Sequence, residues 1–293
     1  MAAKRALQRA CAATFVFAFV EFVGGKLAHS LALTADAAHL VSDAGALGLA
    51  FFAAWIAEQP ATRKMSYGYY RFEILAALVN GIGLFTLSIF LYIGAFHRFF
   101  APSPVQSLLM LGFGVIGLLF NLAVAFYLRS YTQASLNVKS AFFHVLADFM
   151  GSVGVVVGAI IIWKTGWLYA DSLVTMIIAT LIIWGAWTIL KDVVAVLLEA
   201  APSHVDMARL ESRLLALAGV EAICDLHVWT ISSGQEALSV HLGIHSGCDA
   251  KFLLKEVNAM LAQEFKIYHT TVQLEETEQK PHSPHHTHPP EKP

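Results

Sequence analysis

His39 and Asp43 stand four residues apart, and so do His144 and Asp148. Each pair sits in a stretch otherwise apolar enough to cross a membrane: Ala38-His39-Leu40-Val41-Ser42-Asp43 in one case, Phe143-His144-Val145-Leu146-Ala147-Asp148 in the other. Residues four apart share one face of an α-helix, so each segment offers an imidazole and a carboxylate to the same point. Two such helices packed face to face bring together two nitrogens and two carboxylate oxygens. That is a tetrahedral set suited to a borderline divalent metal such as zinc. A single pair of this spacing also reads as a hydrogen bond that satisfies a buried polar group locally. Two matched pairs in two membrane helices favour the metal, because ionisable groups at bilayer depth mark ion or proton pathways.

The elements that must position these groups follow from composition. Of 293 residues, 57% are hydrophobic and 14% charged, and the mean hydropathy is +0.62. This excludes an ordinary soluble domain and makes a lipid membrane the expected surroundings. A net charge of −2 gives no sign of a nucleic-acid partner. Cys11, Cys224 and Cys248 lie far apart with no C-x-x-C spacing, which fits a reduced compartment rather than a disulfide framework. Lys4, Arg5 and Arg9 precede the first apolar run, which reaches Glu21 and is too long for a signal-peptide core. It reads as a first membrane helix.

Six segments are long enough to span ~30 Å of hydrocarbon at ~20 residues each: 8–28, 31–57, 71–98, 106–129, 138–163 and 171–196. Gln59-Pro60, Pro102 with Pro104, and Lys164-Thr165-Gly166 punctuate them. Gly81, Gly83 and Gly94 in the third span and Gly112, Gly114 and Gly117 in the fourth permit close helix packing. Lys4, Arg5, Arg9, Arg63, Lys64, Arg71, Arg129, Lys139 and Lys191 fall on the N-terminal side. Lys26, Arg98 and Lys164 fall on the other, so both termini are expected in the cytoplasm. Asp36, three residues before His39, reads as a hydrogen-bond partner of a ligand, an entry residue or a structural group. Asn80, Asn121, Asp171 and Glu21 read as interhelical hydrogen-bond partners. Ser42 and Ser152 read as bonding backbone carbonyls one turn away.

After Pro202 the pattern changes. A helix over 205–218, strands over 222–232 and 238–244, an amphipathic helix over 250–265 and a strand over 270–275 predict one helical layer on a three-stranded sheet. Cys224, His227, His241, His269, Gln273 and Glu275 are its metal-competent side chains. On a regular strand Cys224 and His227, three apart, point to opposite faces. From Gln279 to Pro293 the chain is rich in proline and carries His282, His285, His286 and His288. Such a tail cannot build a core; it reads as disordered, either collecting metal weakly or with no special role.

Several stretches resemble the cation diffusion facilitator family, its zinc-transporter-like branch. They are Ser30 through Asp43, Tyr67-Gly68-Tyr69-Tyr70-Arg71-Phe72-Glu73, Leu136-Asn137-Val138-Lys139, His144 through Gly154, and Leu226-His227-Val228-Trp229. The resemblance runs from about Ala12 to Glu276. It implies an α-helical membrane protein with a six-helix transmembrane domain over 1–200. It also implies a C-terminal cytoplasmic α+β ferredoxin-like domain over 201–278 that binds metal and dimerises, with 279–293 as the tail. It further implies a homodimeric secondary transporter, not an enzyme, that exports zinc from the cytoplasm against protons by alternating access at His39, Asp43, His144 and Asp148. By the same resemblance Cys224, His241, His269 and Glu275 hold metal in the soluble domain, with zinc there as structural or regulatory metal and His227 structural. Cysteine stands at position 224 where the family carries histidine; thiolate keeps zinc competence. An Arg71–Glu199 pair is expected to link the two domains.

Alternatives remain at this stage. The same mechanism can take cobalt or cadmium, whereas two histidines argue against manganese. The chain can also be a metal sensor or one half of a heterodimer. An intramembrane metalloenzyme is disfavoured by the lack of H-E-x-x-H and of an open coordination position. The loop 58–66 has no histidine or aspartate to build a further metal site. A bacterial inner membrane is the expected location, with an organelle membrane open.

Overall fold

Six helices long and apolar enough to cross a membrane follow one another in the computed structural model, which describes residues 2–130, 136–232 and 234–276. They are α1 (Ala2–Ala28), α2 (Leu31–Ala57), α3 (Phe72–Phe100), α4 (Ser107–Arg129), α5 (Leu136–Thr165) and α6 (Tyr169–Leu197). The histidine- and proline-rich tail lies outside the described residues. The chain divides into two units. One comprises Met1–Phe52 and Ala76–Leu190; the other comprises Ala53–Leu75 and the chain from Lys191 onward.

In the first unit, small residues let the helices approach. Ala28, Ala32, Ala35, Ala159, Ala179 and Ala186 pack with Leu33, Leu91, Met110, Val155 and Ile182 in a buried seam. Gly114 is part of the same logic: a Cβ there would stand 3.1 Å from Val155 Cγ1, so α4 meets α5 at backbone distance. Gly83 and Gly112 are different, since a Cβ on either meets nothing. The large apolar residues point outward instead. Phe51 is 77% exposed and Trp184 71% exposed, a distribution that suits contact with lipid and not water.

One polar clamp fastens the end of this unit where α2 and α6 begin. Ser30 Oγ and the Leu31 and Ala32 amides donate to the Asp171 carboxylate at 2.6, 2.8 and 3.2 Å, and Ser30 Oγ accepts from the Leu33 amide at 3.1 Å. The first amides of a helix lack partners inside it, so an anion there is favoured by hydrogen bonding and by the helix dipole. Arg98, near the end of α3, completes the group with an ion pair to Asp171 Oδ2 at 3.0 Å. Asp171 thus joins α2, α3 and α6, which enlarges the interhelical role expected for it.

In the second unit, α7 (Met207–Leu215) and α8 (Ala250–Met260) lie on one face of a sheet with strand order β1 (Val220–Ser232), β2 (Gln235–Ile244), β3 (His269–Glu276). β1 and β2 are antiparallel, whereas β2 and β3 are parallel. Asp206 and Asp249 cap the two helices by accepting from amides one turn in. Leu238, Val240, Leu242 and Ile244 face the helices without a polar break. The expected helix over 250–265 changes character at Leu261. A π turn, Leu261–Phe265, follows α8 and closes on Lys266 at φ 62°.

The register contains one correction. Cys224 pairs with His241 and His227 pairs with Ser239, so three steps on β1 match two on β2. An extra residue is therefore bulged out, and Asp225 takes the left-handed conformation at φ 53°. Cys224 and His227 end on the same face of the sheet, because the bulge cancels the alternation that would separate them.

Replacing Asp171 with alanine leaves Arg98 and two helix-start amides without their acceptor. It should destabilise the protein by about 3–5 kcal/mol, the usual result of breaking a buried ion pair from one side. Arg71→Ala, which removes an exposed pair, should cost about 0–1 kcal/mol. Thermal unfolding of both variants in detergent checks the order; equal shifts would contradict the clamp.

Candidate metal centre

His39 and Asp43 lie on α2, and His144 and Asp148 on α5, each pair one turn apart. The two helices bring one ligand atom each of His39, Asp43 and Asp148 within 4.8 Å of one another, and His144 adjoins the two carboxylates. His144 Nε2 is 2.9 Å from Asp43 Oδ2 and 4.0 Å from Asp148 Oδ2. His39 Nε2 is 3.6 Å from Asp43 Oδ2 and 3.9 Å from Asp148 Oδ1. Ligands about 2.0–2.1 Å from a tetrahedral zinc stand roughly 3.3 Å from one another. The four separations bracket that value, and the two rings lie 6.1 Å apart between centroids. Both histidines present Nε2, and each carboxylate faces both rings.

A polar layer lies next to this cluster. Ser152, one turn beyond Asp148 on α5, donates to Asp36 Oδ2 at 3.3 Å and accepts from Asn121 Nδ2 at 3.1 Å. Ser152 therefore reaches across helices and not to a backbone carbonyl. Asp36 is 3% exposed, accepts from Ser152, and has no hydrogen bond to His39 or to another of the four. His39 Nδ1 is buried without a hydrogen-bond partner. Glu21 is buried close to Asp36.

The second unit gathers its candidates on the sheet face opposite α7 and α8, and only some of them meet. Cys224 is the register partner of His241, and His241 Nδ1 is 3.5 Å from Glu275 Oε1. Gln273 donates to the same Glu275 oxygen at 2.6 Å. His269 is elsewhere. It pairs with Ala237, four positions before Gln273 on β3, about 13 Å away along the strand at ~3.3 Å per residue. Its ring packs edge-on against Tyr67, with centroids 5.6 Å apart. His227, expected to be structural, lies on the same face as Cys224, 45% exposed with Nε2 3.0 Å from Asp225 Oδ1.

Arg71 Nη2 donates to Glu199 Oε1 at 2.8 Å, so the anticipated pair forms. Beside it Ser232 Oγ donates to Glu73 Oε2 at 2.6 Å. The Glu73 contact has no signature in the sequence, because Ser232 belongs to no motif and 159 positions separate the two residues.

Comparison with known proteins agrees with this architecture. The model of the cation efflux transmembrane domain matches residues 7–198, and that of the cation efflux protein, cytoplasmic domain, matches residues 202–277. The metal cation efflux system protein CzcD of Cupriavidus metallidurans is 42% identical over 273 residues, covering 93% of this chain and 86% of that protein. A cadmium, cobalt and zinc/H(+)-K(+) antiporter of Bacillus subtilis is 36% identical, covering 88% of this chain and 85% of its own. The zinc transporter ZitB of Escherichia coli is also 36% identical, covering 92% of this chain and 87% of its own. The chain belongs to the cation efflux family, also called the cation diffusion facilitators, which are integral membrane transporters of metal cations and not enzymes.

Cobalt serves as a probe for the sheet-face group. A thiolate ligand gives cobalt an intense ligand-to-metal band, whereas nitrogen and oxygen ligands do not. Cobalt-loaded protein should show that band, Cys224→Ser should lose it, and His269→Ala should keep it. A band that persists in Cys224→Ser would exclude Cys224 as a ligand.

Proposed function

We propose that the chain exports zinc from the cytoplasm in exchange for protons, by alternating access at His39, Asp43, His144 and Asp148. The observation that carries this reading is the 2.9 Å contact between His144 Nε2 and Asp43 Oδ2. A proton bridges those two atoms in the hydrogen bond, and both atoms are among those that a tetrahedral metal would bind. Metal ligands must be deprotonated, so metal and proton compete for the same lone pairs. Histidine, with an unperturbed pKa near ~6.5, titrates where the cell works.

Charge supports the same cycle. A divalent cation between two carboxylates and two neutral imidazoles is a neutral unit, which lowers the cost of holding it at membrane depth. Protons taken up by the emptied groups restore neutrality for the return. Alternating exposure of the site to the two sides then converts competition into exchange. The names of relatives supply the cargo class: zinc for one, and cadmium, cobalt and zinc with protons for another. Cobalt and cadmium are the second reading, because the two-nitrogen, two-oxygen set accepts both.

The remaining expectations belong to the same proposal. The protein acts as a homodimer in a bacterial inner membrane with both termini in the cytoplasm. The 1–200, 201–278 and 279–293 divisions serve as transport domain, cytoplasmic metal-binding and dimerisation domain, and tail. Cys224, His241 and Glu275 hold a regulatory zinc ion, with His269 outside that group. The Arg71–Glu199 pair ties the loop before α3 to the segment after α6.

Proteoliposomes with an imposed pH gradient test the cycle. Wild-type protein should take up zinc when the gradient is present and stop when it is collapsed. Asp148→Ala should fall to the rate of protein-free vesicles, because the site loses both a ligand and half its negative charge. Gradient-driven flux retained in Asp148→Ala would contradict the assignment.

A further inference from the structure

Glu21 projects from α1 into the interior of its unit with 1% of its surface exposed, and neither of its carboxylate oxygens meets a hydrogen-bond donor. The side chain nearest in charge is Asp36 of α2, itself buried. From α4, Gly117 leaves the space: a Cβ there would stand 2.9 Å from Glu21 Oε1. Asn121 of α4 bonds Ser152, Ser152 of α5 bonds Asp36, and neither reaches a Glu21 oxygen. Asp148 of α5, a further anion, stands one turn before Ser152, whose hydroxyl bonds Asp36. Among the described residues, no Lys, Arg or His makes an ion pair with Glu21 or Asp36, and neither carboxyl bonds any of the four metal-site residues.

Ionised carboxylates only accept hydrogen bonds. Two of them facing one another, out of water and without a cation, cannot both carry charge. One proton resolves the conflict: it removes one charge and supplies the missing donor. We propose that Glu21, paired with Asp36, holds a proton that the protein releases when metal binds at the neighbouring His39–Asp43–His144–Asp148 site. This rests on the proton-exchange reading above and extends it, because the proton sits on groups that never touch the metal.

The coupling is electrostatic. With the metal site empty, the Asp148 carboxylate, one turn from Ser152, leaves a further negative charge near the pair, and that favours keeping its proton. A divalent cation on Asp148 cancels that field and adds positive charge. The carboxyl O–H of Glu21 then breaks heterolytically, the proton passes to water, and the carboxylate stays behind; nothing is oxidised or reduced. When the metal leaves, the proton returns. The Ser152 hydroxyl, one turn from Asp148 and bonded to Asp36, holds the pair at a fixed distance from the site.

The test compares wild type with Glu21→Gln, which keeps the shape and carries no titratable proton. Full-length protein in nanodiscs is loaded with zinc while infrared difference spectra and proton release are recorded. In wild type, zinc should erase a protonated-carboxyl band. In Glu21→Gln that band should be absent and the protons released per zinc should fall by about one, with the amount of zinc bound unchanged. An unchanged band and proton count in Glu21→Gln would overturn the proposal. Should Glu21→Gln fail to assemble, wild type grown with isotopically labelled glutamate decides: the zinc-sensitive band must shift, and a band that does not shift overturns the proposal. Carboxyl proton release without gradient-driven flux would defeat the antiport reading alone. Flux without the carboxyl band would defeat this inference alone.

Discussion

The meeting of α2 and α5 at Asp43 and His144 sets the terms for the first unit. Ionisable groups in an apolar bundle are tolerated only when they satisfy one another or a bound cation. These groups meet here, and among the described residues no Lys or Arg forms an ion pair with them. The site is therefore unbalanced until a proton or a metal enters it.

The surrounding helices make this arrangement possible by leaving little room for anything else. Alanine and glycine seams bring the backbones close, and the Asp171 clamp fixes the starts of α2 and α6 against Arg98. The polar layer of Asn121, Ser152 and Asp36 extends the hydrogen-bonded region beyond the four candidate ligands. Close packing and buried polar contacts of this kind give discrete arrangements instead of continuous ones. The alternating access proposed for this chain requires such discreteness. In the second unit, the bulge at Asp225 does comparable local work by turning Cys224 and His227 to one face of the sheet.

Much of this was legible in the sequence because its signals are strong in physical terms. Membrane spans show as long apolar runs, so the six helices fall within a few residues of their expected bounds. The His–Asp spacing of four survives folding because helix geometry is rigid. The strands of the small domain show by alternation, and the parallel pairing of β2 with β3 follows from the helix between them. Single-residue events left less trace. A bulge inverts a face without altering composition, so Cys224 and His227 share a face where regular alternation predicts opposite ones. The sheet register, not the residue types, separates His269 from Cys224, His241 and Glu275. For Ser152 the sequence suggests a local bond, because its distant partners, Asp36 and Asn121, have no sequence relation to it.

The central claim is that His39, Asp43, His144 and Asp148 bind one metal ion together. Anomalous X-ray diffraction from zinc-loaded crystals tests it most directly. The account predicts a zinc peak bonded to both Nε2 atoms and to an oxygen of each carboxylate, in tetrahedral geometry. A peak held by one helix alone, or zinc found only on the sheet face of the second unit, would contradict it.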